Sequence, residues 1–206
     1  MARRGAVLRD HILEQAKEAF LEAGFERTSM DAVAARAATS KRSLYAHFAT
    51  KEVLLLAVLD YVDELFQHRM MTPASYADDP VDAAALYCAR FLQMLGWASL
   101  TQTCRLGIEV AVQFPDAAAR LHEVFFGSTT ARLADHVGAS YTLDAAAAQS
   151  LAGELLGATV YPELPRLLFG LSETRPDVPE IQTLTEDVDV EAIRRQVGVR
   201  LAGVAA

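Results

Sequence analysis

Cysteine is nearly absent, with two residues, Cys88 and Cys104, among 206. Neither belongs to a CxxC pair or a Cys/His cluster with zinc spacing, so a zinc-built fold is excluded. The two read as buried thiols in a reducing compartment, with a disulfide or a redox role as the alternative. Long apolar runs are missing as well. None exceeds seven residues, as in Val53 to Leu59, where a membrane span needs about 20. The basic start, Met-Ala-Arg-Arg-Gly-Ala, leads into no apolar stretch of the kind a secretory signal needs. A cytoplasmic chain with no membrane partner is the expectation. Catalytic signatures are also lacking: no GxSxG, no Walker loop and no GxGxxG. His122-Glu123 opens like a zinc-protease helix, but position 126 is Phe. The five histidines show no ligand spacing with Asp, Glu or Cys. The chain is therefore read as no enzyme, with no metal and no cofactor. Lysine disappears after Lys51, where ten arginines carry all the side-chain cations but histidine.

The charge is uneven. The net formal charge is −8, with 52% hydrophobic and 22% charged residues, an ordinary globular composition. Residues 1–60 hold nine Lys/Arg against eight Asp/Glu, +1, while residues 61–206 hold ten against nineteen, −9. From Ala32 to Lys51 there are four cations and no acid. Screening limits a charge to about 8–10 Å, so this local window decides what the surface around it attracts. An acidic remainder suppresses non-specific adhesion to nucleic acid without forbidding specific binding.

Helical periodicity dominates, and no segment alternates as a strand does. A first helix spans about 8–23, with Ile12, Ala16, Ala19, Phe20 and Ala23 on one face and Gly24 at its left-handed end. A second runs over 28–37, opened by Thr28-x-x-Asp31 as a capping box. A third covers 40–48, with Thr39 or Ser40 as cap. Thr50 caps a fourth, reaching about Met70. Met71 to Pro80 reads as a linker. Further helices fall near 81–97, 99–113, 116–137, 143–170 and 188–203. Pro162 and Pro165 should kink or split the 143–170 stretch, and Ser172 to Asp187 should be loop.

The second and third helices make a helix-turn-helix pattern. At 100° per residue, Leu44 and Phe48 point inward, and Arg42, Ser43 and Ala46 point outward. Lys41 and Tyr45 lie on one flank and His47 on the other. Arg can donate two bonds to guanine, Ser bonds flexibly, and Ala leaves room for a thymine methyl. The flanking groups suit phosphates. Lys51 opposes the macrodipole of its own helix, which makes sense beside a phosphate. Thr28 starts the second helix and offers a similar site.

This spacing resembles the DNA-binding domain of the TetR family. The resemblance rests on Ile12-Leu13, Ala19-Phe20, Gly24-Phe25, Thr28-Ser29-Met30-Asp31-Ala32-Val33-Ala34, Ser40 to Phe48 and Lys51-Glu52. It covers residues 8–60, about a quarter of the chain. It implies base reading by Thr39, Ser40, Lys41, Arg42 and Ser43, and phosphate contacts from Thr28, Tyr45, His47 and Lys51. The family usually has Gly in the turn where this chain has Ala38, and Val where it has Thr39. A left-handed turn would make Ala38 about 1 kcal/mol less favourable than Gly.

The implied architecture is all-α: a helix-turn-helix domain over 1–50, a connecting helix over 51–70, and an effector-binding and dimerisation domain over 71–206. The expected partners are a double-stranded operator, a second copy of the chain and a small, mostly hydrophobic effector. Tyr87, Phe91, Met94 and Trp97 recur on one helical face, either as core or as a pocket wall that Phe126 and Tyr161 extend. Glu109 and His122 sit among apolar neighbours, as structural polar groups or as ligand contacts. Gly153, Gly157 and Ala158 form a small-residue face, either a generic surface for close helix approach or, as the resemblance implies, a dimer interface shared with the last helix, 188–203. The competing function is a helical ligand- or partner-binding protein with a vestigial helix-turn-helix.

Overall fold

The computed structural model describes residues 2–176 and 188–204. Eleven α-helices and no strand occur among them. The first four are α1 (Ala2–Ala23), α2 (Met30–Arg36), α3 (Lys41–His47) and α4 (Lys51–Arg69). Then come α5 (Pro80–Leu95), α6 (Ala98–Val110), α7 (Pro115–His122) and α8 (Ser128–Tyr141). The last are α9 (Ala145–Thr159), α10 (Leu164–Leu168) and α11 (Val190–Ala202). Two compact units emerge. One holds the residues up to Leu65 together with Gln102–Leu121; the other holds Phe66–Thr101 and the described residues from His122 onward.

In the first unit, α1 buries Ile12, Ala16, Ala19 and Phe20 along the stripe its periodicity predicts, with Leu13 beside them, while Ala23 is half-exposed. The same unit also buries Val33 of α2, Leu44 of α3 and Leu54, Leu55 and Val58 of α4, all at most 1% exposed. Gly24 ends α1 at φ +82°, as its position suggests. The start of α2 lies later than the sequence indicates. Ser29, not Thr28, is the cap, and its hydroxyl accepts from Ala32 N at 3.1 Å. Thr28 is drawn inward by carbonyls at the end of α1. Its hydroxyl donates to Gly24 O at 2.7 Å and Ala19 O at 3.1 Å. Arg36 forks onto Glu22 at 2.6 and 2.7 Å, joining α2 to α1 and holding the Glu22 carboxyl below the usual carboxylate range.

In the second unit, α5 is central, packing on α8, α9 and α11. α8 and α9 form a helical hairpin whose close approach depends on Gly138: a Cβ there would lie 3.2 Å from the Ala148 methyl. The predicted 116–137 helix is interrupted. A π-helical turn over Glu123–Gly127 separates α7 from α8. Hydroxyls of the following turn cover its carbonyls: Ser128 donates to Val124 O, and Thr129 and Thr130 donate to Phe125 O and Phe126 O at 2.7 Å each. The predicted 143–170 helix breaks after Thr159, before Pro162, and resumes as the short α10. A 3₁₀ turn, Pro73–Ser75, occupies the linker. Of the loop expected over 172–187, residues 177–187 lie outside those described.

Candidate nucleic-acid interface

α2 and α3 are joined by a tight turn whose hydrogen bonds define it. Thr39 N donates to Ala34 O at 3.0 Å and Ala38 N to Ala35 O at 3.1 Å, the paired bonds of a Schellman motif. Ala38 takes the left-handed position, at φ +48°. A backbone geometry that favours glycine is thus adopted without one. Ser40 caps α3, its hydroxyl accepting from Ser43 N at 3.0 Å and lying 2.9 Å from Ser43 Oγ.

α3 is anchored by Leu44, fully buried, and by Phe48 just beyond it, 1% exposed. Burying two such side chains contributes about 3–6 kcal/mol, enough to fix the helix rotation. That rotation turns Lys41, Arg42, Tyr45 and Ala46 to solvent, with Ser43 and His47 half-exposed on either side. Thr39 is half-exposed and Ser40 exposed at the leading end. Lys41, Arg42, Ser43, Tyr45 and His47 therefore share one short helix, with Thr39 and Ser40 at its start.

Two cations on this side have internal partners. Lys41 Nζ lies 2.6 Å from Asp31 Oδ2, bridging α3 to α2. Lys51 Nζ donates to Phe25 O at 2.9 Å and Glu26 O at 3.3 Å and sits 4.2 Å from the Phe25 ring centroid. This accounts for a cation in the first turn of α4. It reaches the carbonyls beyond the C-terminal end of α1, where positive charge is favoured. Thr28, expected at a phosphate, is 4% exposed with its hydroxyl committed to α1, so its side chain faces away from this surface.

The sequence of this region matches the family model described as bacterial regulatory proteins, tetR family, over residues 12–58. Residues 12–58 are thus similar to the DNA-binding region of the TetR family. Among curated relatives, the regulator TtgR of Pseudomonas putida is 36% identical over 84 residues, 41% of this chain and 38% of TtgR. The transcriptional activator FasR of Mycolicibacterium smegmatis is 45% identical over 58 residues, 28% of this chain and 26% of FasR. The curated matches thus span well under half of either chain. Solved structures align along nearly the whole length. A candidate TetR-family regulator of Mesorhizobium loti superposes with a TM-score of 0.72 at 20% identity, covering 98% of this chain and 96% of that one. The flavonoid-responsive regulator FrrA superposes with a TM-score of 0.68 at 26% identity, covering 97% and 95%.

In the second unit, the aromatic row packs as core. Tyr87, Phe91 and Met94 are fully buried and Trp97 is 7% exposed. Tyr87 donates to Thr129 O at 3.1 Å, and burial raises its pKa. Phe126, in the π turn, is half-exposed and brings three of the other expected residues together. Its ring lies 5.9 Å from Phe91, 5.5 Å from His122 and 6.3 Å from Tyr161. Glu109 is not among them. It belongs to the first unit, where Oε1 accepts from Phe25 N at 3.0 Å and Glu26 N at 3.4 Å.

A cavity of about 430 Å³ lies elsewhere in the second unit, between the ends of α5, α9 and α11. Its wall includes Leu92, Gln93, Thr159, Glu163, Arg175 and Gln196, none of them in the aromatic row. Gln93 was the available signal: an amide on the inward face of α5, 2% exposed. Arg175 is tied to the α5–α6 turn, donating from N to Gly96 O at 2.9 Å and accepting at O from Ala98 N at 2.8 Å. Gly153 and Gly157 lie on an open side of α9, where an added Cβ would meet nothing within 4 Å, and Ala158 beside them is half-exposed. Both cysteines are free thiols, pushed up to about 12 by burial and so poor nucleophiles.

Proposed function

We propose that this protein is a sequence-specific DNA-binding transcriptional regulator, a repressor that a small molecule releases from an inverted-repeat operator. The observation that carries the reading is α3. It is a seven-residue helix locked from behind by Leu44 and Phe48, with Arg42 exposed at its leading end. Such a helix fits a major groove, with its N-terminal residues against base edges. Thr39, Ser40, Lys41, Arg42 and Ser43 read bases, and Tyr45, His47 and Lys51 face phosphates. Thr28 serves the same surface from behind by fixing the start of α2. DNA competes with Asp31 for Lys41, an exposed pair of small intrinsic worth.

A homodimer supplies two reading helices, and its two-fold axis requires an inverted repeat. The open face of α9 around Gly153, Gly157 and Ala158 supports an interface there. The effector binds in the second unit. Phe126, Tyr161 and His122 are the accessible edge of the aromatic cluster, and a ligand reaching Phe91 has to displace them. Release follows if the effector favours a dimer whose reading heads no longer match the groove spacing, which requires different affinity for the two states.

The test is selection from a random duplex DNA pool with the full chain at about 150 mM salt, a concentration at which non-specific phosphate binding is already weakened. A palindromic consensus is expected. Folded, dimeric protein that enriches nothing would refute the reading and leave a helical ligand- or partner-binding protein. For the effector, Trp97 is the sole tryptophan and reports on the second unit. A flavonoid is a rational first probe, given the likeness to FrrA.

A further inference from the structure

We propose that Glu109 is a positioning residue for the DNA-reading unit: its carboxylate straps the α1–α2 loop opposite Lys51 and thereby fixes the stance of α2 and α3. The inference rests on the DNA-binding reading above. The same two residues are gripped through both their backbone N–H and C=O groups. Glu109, 84 residues away, accepts from the N–H groups of Phe25 and Glu26 at 3.0 and 3.4 Å. Lys51, 26 residues away, donates to their carbonyls at 2.9 and 3.3 Å. A loop with both its donors and its acceptors bound to charged side chains has lost its freedom to peel away.

The neighbouring residues are shaped for this grip. Gly24 stands at φ +82°, and a Cβ there would fall 2.9 Å from Glu109 Oε2, so the carboxylate occupies the room a side chain would fill. The Phe25 ring, 1% exposed, meets Phe114 edge-on at 5.3 Å. The loop then passes through Thr28, bonded back to α1, into the Ser29 cap of α2. No slack separates the strapped peptides from the helix-turn-helix.

The sign of the effect distinguishes this role from simple electrostatics. Glu109 is an anion in a unit that approaches a polyanion. If charge alone mattered, removing it would tighten DNA binding. A strap predicts the reverse. Full-length Glu109→Ala and Glu109→Gln are compared with the parent chain on the selected operator at one salt concentration, with hydrogen exchange read at the Phe25 and Glu26 amides. Glu109→Ala should weaken binding about tenfold, as expected for one lost charge-assisted hydrogen bond, and speed exchange at both amides. Glu109→Gln keeps an acceptor oxygen and should recover most of the affinity and protection. Equal or tighter binding by Glu109→Ala, or unchanged exchange at the two amides, would overturn the proposal. Should the parent chain bind no DNA, the proposed function fails, while the exchange comparison still decides whether the strap exists.

Discussion

Replacing Ala38 with Gly should stabilise the protein. Ala38 occupies the left-handed position of the α2–α3 turn at φ +48°, and its methyl is exposed, so no packing is lost on its removal. An L-residue in that region is strained by about 1–2 kcal/mol. Glycine removes the strain but gives back about 0.4–1 kcal/mol through the greater freedom of the unfolded chain. The net gain is about 0.5–1 kcal/mol, or about 1–4 °C in Tm for a chain of this length. Far-ultraviolet circular dichroism is the suitable readout, because Trp97 lies in the other compact unit. Protomer concentration must be matched, since dimerisation also shifts Tm. Two companions test the logic. Thr142 ends α8 at φ +54° and is also exposed, so Thr142→Gly should gain similarly. Gly24→Ala should lose stability, because its new Cβ would meet Glu109 as well as an unfavourable φ. A fall in Tm for Ala38→Gly would refute the strain argument.

Three other substitutions test the remaining assignments. Arg42→Ala should reduce operator affinity by roughly 1–3 kcal/mol and relax the preference at one base pair of each half-site, as read by repeating the selection. Lys51→Ala should weaken binding to every sequence alike and lower the salt slope by about one, and an altered consensus would refute its phosphate role. Gly157→Arg, on the open side of α9, should leave helicity intact and yield a monomer near 22.4 kDa by light scattering, and an unchanged dimer would move the interface elsewhere.

The first unit was the more legible because the function proposed for it constrains neighbouring residues. A helix that must enter a groove needs inward anchors and outward cations within one or two turns. Leu44, Phe48, Arg42 and Tyr45 therefore declare themselves at 100° spacing, and Gly24 marks the end of α1. What escaped notice there is long-range. Thr28 and Ser29 both offer a hydroxyl before α2, and only the carbonyls of Ala19 and Gly24 decide that Ser29 is the cap. Lys51 looked misplaced because its partners, Phe25 and Glu26, precede it by a whole helix-turn-helix.

The second unit obeys a different rule. Its cavity takes its wall from α5, α9, α11 and residue 175, so no window of sequence contains it. Tyr87, Phe91 and Met94 have the spacing of either a core or a pocket, and periodicity cannot separate the two because both are apolar on one face. The π turn over Glu123–Gly127 is marked only by the Gly127-Ser128 pair at its end, which does not say which way the helical phase shifts. Yet that shift leaves Phe126 half-exposed beside His122 and Tyr161 while Phe125 stays in the core. A pocket that opens by moving Phe126 would need no change in the pattern that makes the core. Its ligand therefore has to be sought by titration against Trp97 rather than by reading residues.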